Sequence, residues 1–241
     1  MRSDGKFCIV IPVYNEAGNV MPTIEHVNNA LVAAGLQADI LCVNDGSVDT
    51  TGQELVDAAH RWKNVIVQAH GSNRGFGAAR WTGMQLAISC GYTYAIFMDA
   101  DMTMDPKYIV KFHEKMAAGF DFVIGSRFLR DGAMLNVPLY RRLISLIANL
   151  IFRFCFRLKL SDYSQGFRAI RTSVMEQFSL KETGFPILIE ELVQAKRITS
   201  KFAEVPFILT GRRIGDSKFS YAPRVVIKYL FYAGKAFVVT P

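Results

Sequence analysis

Apolar positions in the first half of the chain fall into short unbroken runs, each followed by a polar turn and then by a stretch with helical spacing. Residues 7–13 (FCIVIPV) predict a buried strand, after which YNEAGN turns the chain into a helix over 20–34. The run ILCV (40–43) predicts a second strand closed by NDGS, and Ser47 or Asp49 can cap a helix reaching Trp62. Residues 65–68 predict a third strand, and the glycine-rich turn GSNRGFG leads to a helix over 78–89. A fourth strand, YAIFM (94–98), runs into Asp99, and Asp105-Pro106 reads as N-cap and first-turn proline of a helix to Ala118. Strands apolar along their whole length are covered on both faces, so with helices between them they predict a mainly parallel α/β sheet. Ligands of such sheets gather beyond the carboxyl ends of the strands, where YNE, NDGS, SNRG and DAD all lie.

The second half is patterned differently. Residues 122–125 predict one more strand leading to GSRF, and 139–160 form a long apolar segment carrying Arg141, Arg142, Arg153, Arg157 and Lys159. The loop SDYSQGFR, a helix near 190–197, a strand near 203–209 and the basic loop GRRIGDSKF follow. No repeat or linker divides the 241 residues, so one domain is expected, with 1–125, 126–220 and 221–241 as its three parts.

Charge adds a direction. Twenty-eight basic against 21 acidic residues leave +7, which favours anionic partners. The chain has no long Lys/Arg stripe and no base-reading motif, which sets nucleic acid aside. Cys8, Cys42, Cys90 and Cys155 are scattered without metal-ligand spacing and read as buried free thiols of a reducing compartment. The opening residues lack the apolar run of a signal peptide, and no stretch is long enough to span a membrane free of charge.

Asp99 and Asp101, one residue apart past a buried strand, can turn both carboxylates towards one hard cation, Mg²⁺ or Mn²⁺, completed by phosphate oxygens and waters. Two aspartates also end strands simply because turns favour them. Their place beside three other polar strand ends decides for the metal. Asp45 in NDGS can accept N–H groups of a base, with Gly46 permitting close backbone approach, or can serve as a turn residue. GSNRGFG lacks the glycine order of a dinucleotide fingerprint, which excludes a nicotinamide site and leaves Arg74 as a phosphate neighbour or a solvated turn residue.

In order and spacing, IPVYNE, VNDGS, N-R-G-x-G-A-A-R and MDAD resemble the family 2 inverting glycosyltransferases, which have the Rossmann-like GT-A fold. GSRF, RRLIS, DYSQGFR, EVP and R-x-x-G-D-S-K resemble the dolichyl- and polyprenyl-phosphate mannosyltransferases among them. The resemblance implies that Pro12, Tyr14, Glu16 and Asp45 hold the nucleoside of a nucleotide-sugar donor, and that Asp99, Ala100 and Asp101 hold diphosphate and metal. It implies that Arg127, Arg141 and Ser145 receive the phosphate of a polyprenyl or dolichyl acceptor, that Arg212 and Lys218 belong to a loop closing over the donor, and that Glu190 lies beside the sugar. Many relatives carry Gln two residues after the second Asp; Thr103 stands there instead, its hydroxyl serving the metal directly or through water.

Physical chemistry supports such an acceptor. The planar fork of an arginine grips phosphate oxygens in two places, and Arg141 and Ser145 stand one helical turn apart. Segment 139–160 is too rich in arginine for a core helix and too charged for a spanning one, so an amphipathic helix in the membrane interface is expected. The run 225–239 has the same mixed character. With the resemblance, these features lead to an expected place at the cytoplasmic face of a membrane, peripheral or anchored by a further segment or a partner subunit. Open alternatives are a UDP-sugar donor, a sugar-hydroxyl acceptor with Glu190 or Glu191 as base, and a non-catalytic nucleotide-sugar or membrane-binding module.

Overall fold

Alternation along β1 (Phe7–Val13) explains why its sequence is apolar throughout: Ile9, Ile11 and Val13 point into one hydrophobic cluster, Cys8 and Val10 into a second on the opposite face of the sheet. The computed structural model describes residues 5–212, 214, 215, 218, 219 and 222–238. Arg213, Asp216 and Ser217 of the basic loop, and Val239 of the C-terminal run, lie outside the described residues.

The expected α/β alternation is present. It runs through α1 (Val20–Ala33), β2 (Asp39–Asn44), α2 (Thr51–Arg61), β3 (Val65–Ala69), α3 (Phe76–Ser89) and β4 (Tyr94–Phe97). Asp105 accepts a hydrogen bond from the Lys107 N–H at 2.9 Å and so caps a short 3₁₀ turn, Pro106–Tyr108, ahead of α4 (Ile109–Ala117). After β5 (Phe122–Ser126) come β6 (Ala133–Met134), α5 (Leu139–Phe156), β7 (Arg168–Arg171), α6 (Thr172–Met175), α7 (Ile187–Ile198), β8 (Phe202–Pro206), β9 (Ile208–Leu209) and α8 (Pro223–Val238).

The main sheet has the order β3-β2-β1-β4-β7-β5-β8, parallel except for β7, which runs antiparallel between β4 and β5. Sequence reading ends the loop SDYSQGFR at Arg168 and assigns no element to 169–171; the strand RAIR begins and ends with charge. Its arginines find partners only in the fold: Arg168 at Glu191, and Arg171 at Asp121. The strand expected over 203–209 is two pieces, β8 and β9; β9 leaves the sheet to pair with β6. That short ribbon delivers Thr210 to Thr103 (N–H to O, 3.1 Å) and so carries the following residues to the acidic turn after β4.

Helix α3 lies tight on the sheet. A methyl group at Gly83 would stand 2.3 Å from Val10 Cγ1, so glycine sets the approach. On the same face α5 and α8 pack side by side and bury only part of themselves: Asn149, Phe152 and Phe156 of α5, and Tyr232, Ala233 and Ala236 of α8. Their outer faces leave Leu143, Leu150 and Phe154 exposed, with Ile227 and Phe231. No described helix is long and apolar enough to cross a membrane. The thiols are free; Cys8 and Cys42 are buried as expected, whereas Cys90 is exposed and Cys155 half-buried.

Candidate active site

Beyond β4 the chain turns through Asp99 and Asp101, and Met102 takes a left-handed conformation (φ 64°) that brings Thr103 back over the second carboxylate. The Thr103 hydroxyl and N–H donate to Asp101 Oδ1 at 2.7 and 3.1 Å, and Arg212 Nη1 donates to Asp101 Oδ2 at 2.9 Å. Arg212 Nη2 also reaches both oxygens of Glu16 at 2.7 Å, and Lys218 Nζ lies 2.7 Å from Glu16 Oε1. Two cations from the C-terminal loop thus sit on two of the three carboxylates. Burial would raise the Glu16 carboxyl, but hydrogen bonds from Arg212, Lys218 and Asn19 outweigh it and hold the group below the usual range. Among the described residues no cation hydrogen-bonds Asp99, although the Arg80 and Arg212 charges act on it from further off. Burial, and then the neighbouring Asp101 charge, push its carboxyl up to about 7.

This donor set fits a divalent cation. Asp99 and Asp101 are hard oxygen ligands that repel each other without one, and among the described residues no third His, Cys, Asp or Glu joins them to close a cage. A cation here would keep positions for diphosphate oxygens and water. Thr103, with its proton on Asp101, orients that carboxylate and has lone pairs left over.

The residues expected to hold a nucleoside divide. Tyr14 and Asn15 give their carbonyl oxygens to Lys218 Nζ, so this loop is tied to the C-terminal one. Pro12 pairs with Val43 at the carboxyl end of β1, and the Ala100 carbonyl accepts from the Thr23 hydroxyl at 3.1 Å. Asp45 is buried and already engaged: Oδ1 lies 2.7 Å from His70 Nδ1 and accepts the Arg74 N–H at 2.9 Å, and Oδ2 accepts the Gly75 N–H at 2.8 Å. His70 Nε2 in turn stands 2.9 Å from the Thr82 hydroxyl. Gly46 (φ +68°) does permit a close approach, but to the chain's own backbone, since a Cβ would lie 2.3 Å from the Ser72 carbonyl carbon. In this structure Asp45 and Gly46 therefore build the 70–75 turn instead of facing an open ligand site. Arg74 contributes its N–H to that turn.

The residues expected at an acceptor phosphate line one cavity. Arg127 follows β5, and its guanidinium is clasped by Asp162, with Nε 2.6 Å from Oδ2 and Nη2 2.9 Å from Oδ1. Nη2 also faces the hydroxyls of Ser145 (3.1 Å) and Ser164 (3.2 Å). A cavity of about 890 Å³ joins Asp99 and Asp101 to Arg127, Arg141 and Ser145, then continues between Ile147 and Ile151 of α5 and Val226 and Leu230 of α8. Arg142, by contrast, is bound to the Met134 carbonyl at 2.7 Å.

Two glutamates considered as bases are occupied. Glu191 is fully buried between Arg80 and Arg168: Arg80 Nε binds its Oε1, and Arg80 Nη2 and Arg168 Nη1 bind its Oε2 at 3.0 Å. Glu190 accepts the N–H groups of Lys181 and Glu182 at 2.9–3.1 Å and does not line the cavity.

The profile described as Glycosyl transferase family 2 matches residues 8–178, most of the chain, with β4 and the acidic turn inside the match. The chain belongs to glycosyltransferase family 2. Among curated proteins this transferase is 33% identical over 232 residues to the dolichol-phosphate mannosyltransferase of Pyrococcus furiosus. That alignment takes in 93% of this chain but 62% of the relative, so the chain spans about three fifths of that protein's length. It is 32% identical over 225 residues to the polyprenol monophosphomannose synthase of Mycolicibacterium smegmatis, covering 91% of this chain and 83% of the relative. Among solved structures it resembles glucosyl-3-phosphoglycerate synthase from Mycobacterium tuberculosis in complex with Mn²⁺, UDP and phosphoglyceric acid (TM-score 0.70, 15% identity, 95% of this chain and 79% of that one). At that identity the likeness establishes the fold, a GT-A sheet with helices on both faces.

Sequence reading of the transferase misses Arg80, His70, Asp162, Ser164 and Glu204 as members of the site or its supports. Arg80, Asp162, Ser164 and Glu204 stand inside quoted motifs, so a signal exists. No local pattern names their partners, which lie 35 to 111 residues away for Asp162 and Arg80.

Proposed function

We propose that this transferase moves mannose from GDP-mannose onto the phosphate of a polyprenyl or dolichyl lipid, at the cytoplasmic face of a membrane. The observation that carries the reading is the continuity of the cavity, from acidic turn through arginine and serine to an apolar furrow between two helices. A lipid phosphate bound beside a nucleotide sugar presents matching chemistry in that order. The names of both curated relatives support mannose as the sugar and a dolichyl or polyprenyl phosphate as the acceptor.

In this reading 1–125 carries the donor, 126–220 the acceptor and 221–241 part of the membrane contact, within one domain. The acceptor monoester, with a second pKa of ~6, is already largely ionised at neutral pH and requires no general base. That agrees with Glu190 and Glu191 both being engaged elsewhere. Arg127, Ser145 and Arg141 hold the phosphate so that one oxygen lies behind the anomeric carbon. The new O–C bond forms as the bond to the diphosphate breaks; the nucleoside diphosphate departs with the electron pair, and the configuration inverts. When bound at Asp99 and Asp101 with Thr103 beside them, Mg²⁺ or Mn²⁺ would supply charge neutralisation for the departing group. Arg212 and Lys218 exchange Asp101 and Glu16 for donor phosphates, and Pro12, Tyr14 and Ala100 flank the nucleoside. Asp45 shapes its bed through the 70–75 turn, and Glu190 holds the 181–182 turn ahead of Phe185. The exposed apolar faces of α5 and α8 rest in the lipid interface or against an anchoring partner subunit.

The test is a donor screen with Mn²⁺ or Mg²⁺ and a short-chain polyprenyl phosphate, reading the nucleoside diphosphate released. Release from GDP-mannose that needs the lipid phosphate is expected. A preference for UDP-glucose would overturn the sugar assignment, and equal release with a dephosphorylated prenol or a free sugar would overturn the acceptor.

A further inference from the structure

Two segments of the transferase, SDYSQGFR and EVP, have no task in the reaction as derived above, and the structure links them in a chain of hydrogen bonds. Glu204 Oε1 accepts the N–H groups of Ser161 and Asp162 at 2.9 and 3.1 Å and the Ser161 hydroxyl at 2.8 Å, which pins the turn that presents Asp162. Asp162, fully buried, grips the Nε–Nη2 edge of Arg127, accepts the Arg127 N–H at 3.3 Å, and receives Asn149 Nδ2 at 3.4 Å.

A guanidinium is planar and carries five N–H donors in fixed directions. With the Nε edge held by Asp162, the opposite edge is the one left for a ligand. Its second Nη2 hydrogen faces the Ser145 and Ser164 hydroxyls, and Nη1 has no hydrogen-bond partner among the described residues. Both serines line the cavity. Each accepts from Arg127 and so has its own proton to give; that of Ser164 has only a long contact of 3.5 Å to Asp162. Free edge and two hydroxyl protons together make a cradle for a phosphate monoester.

We propose that Ser164 is a further phosphate-binding residue, donating to the acceptor phosphate beside Ser145, and that Asp162 is the positioning residue that turns the free edge of Arg127 towards it. The proposal rests on the reading that Arg127 and Ser145 receive that phosphate, and deepens it. Asp162 acts through Arg127 and touches no substrate.

Calorimetric titration of the full chain with a water-soluble ten-carbon prenyl phosphate tests it. Ser164→Ala is expected to weaken binding about tenfold, the loss of one hydrogen bond to a charged group. Ser164→Thr restores most of the affinity, and Asp162→Asn weakens it by a similar factor. The Kd for GDP with Mn²⁺ stays as in the parent, and in turnover the KM for the prenyl phosphate rises while the donor KM holds. Parent-like binding by Ser164→Ala and Asp162→Asn, with binding lost in Arg127→Ala, overturns the inference and leaves the acceptor reading standing. Parent-like binding by Arg127→Ala overturns both. Should Asp162→Asn fail to fold, the Ala and Thr variants of Ser164 decide alone.

Discussion

Replacing Glu191 by alanine would strand two guanidinium groups in the interior, and the cost can be worked from their remaining partners. Arg168 would keep three carbonyl oxygens, those of Gln165, Leu188 and Tyr163, at 2.6–2.7 Å. Arg80 would keep one, Gly166, at 3.3 Å, and the face of Phe97 4.1 Å from its guanidinium carbon. Neither arginine can reach water, since their side chains are 2% and 0% exposed. Breaking a buried pair by deleting one partner costs about 3–5 kcal/mol, because the remaining charge stays desolvated. At roughly 2–4 °C per kcal/mol for a chain of this size, Tm should fall by about 6–20 °C. Glu191→Gln should fall into the same range, as its amide N–H₂ would oppose a guanidinium donor. Thermal and urea unfolding followed by circular dichroism measure this directly. A Tm within about 2 °C of the parent for both variants would refute the reasoning. A parent-like Tm with turnover lost in Glu191→Gln would point instead to a chemical role for the carboxylate.

Three other predictions follow from the same geometry. Asp101→Ala should reduce Mn²⁺-dependent release of nucleoside diphosphate on the order of a hundredfold or more, and Mn²⁺ affinity measured by electron paramagnetic resonance should drop with it; unchanged Mn²⁺ binding would remove the acidic turn as metal site. Gly83→Ala gains about 1 kcal/mol of helix propensity, but its methyl would meet the fully buried Val10 Cγ1 at 2.3 Å, so overpacking of about 1–3 kcal/mol should win and the urea midpoint should fall. Phe154, 72% exposed on α5 and stacked on Phe237 of α8, should accept Glu at a cost of about 0.5–1.5 kcal/mol, the worth of that ring pair, while co-sedimentation with phosphatidylglycerol vesicles declines; undiminished sedimentation would argue against α5 as a lipid contact.

Strands β1 to β5 were legible to within a residue or two: β1, β2, β4 and β5 are buried on both faces and written as unbroken apolar runs, while β3, a half-exposed edge strand, still opens on the short run Val65–Val67. β7 was not, since its burial depends on Arg168 finding Glu191 in a later helix, and no local pattern announces a neutralised charge. The acidic turn was legible from its place in the strand series. Asp45 shows the opposite case. Its type and position suggested a base acceptor, yet His70 and the 74–75 backbone reach it first, and that competition is decided by the path of a loop after β3. Glu190 and Glu191 likewise stood out as acids at a useful position, but their occupation was invisible without Lys181, Arg80 and Arg168 in space.

The antiparallel strand β7 also bears on how the chain acquires its structure as it is made. β5 pairs with β7 and β8 and not with β4, so when β5 leaves the ribosome neither of its neighbours exists yet. About forty-five more residues must emerge before β7 is complete and joins the two halves of the sheet, and about eighty before β8 covers the far edge. Until then Phe122, Val123 and Ile124 present a bare apolar edge of the kind that chaperones hold and aggregates capture. A fragment ending before Arg168 would keep strands β1 to β4 but leave that edge open. Truncations of this transferase should therefore pass from insoluble to soluble only once the chain extends beyond β8.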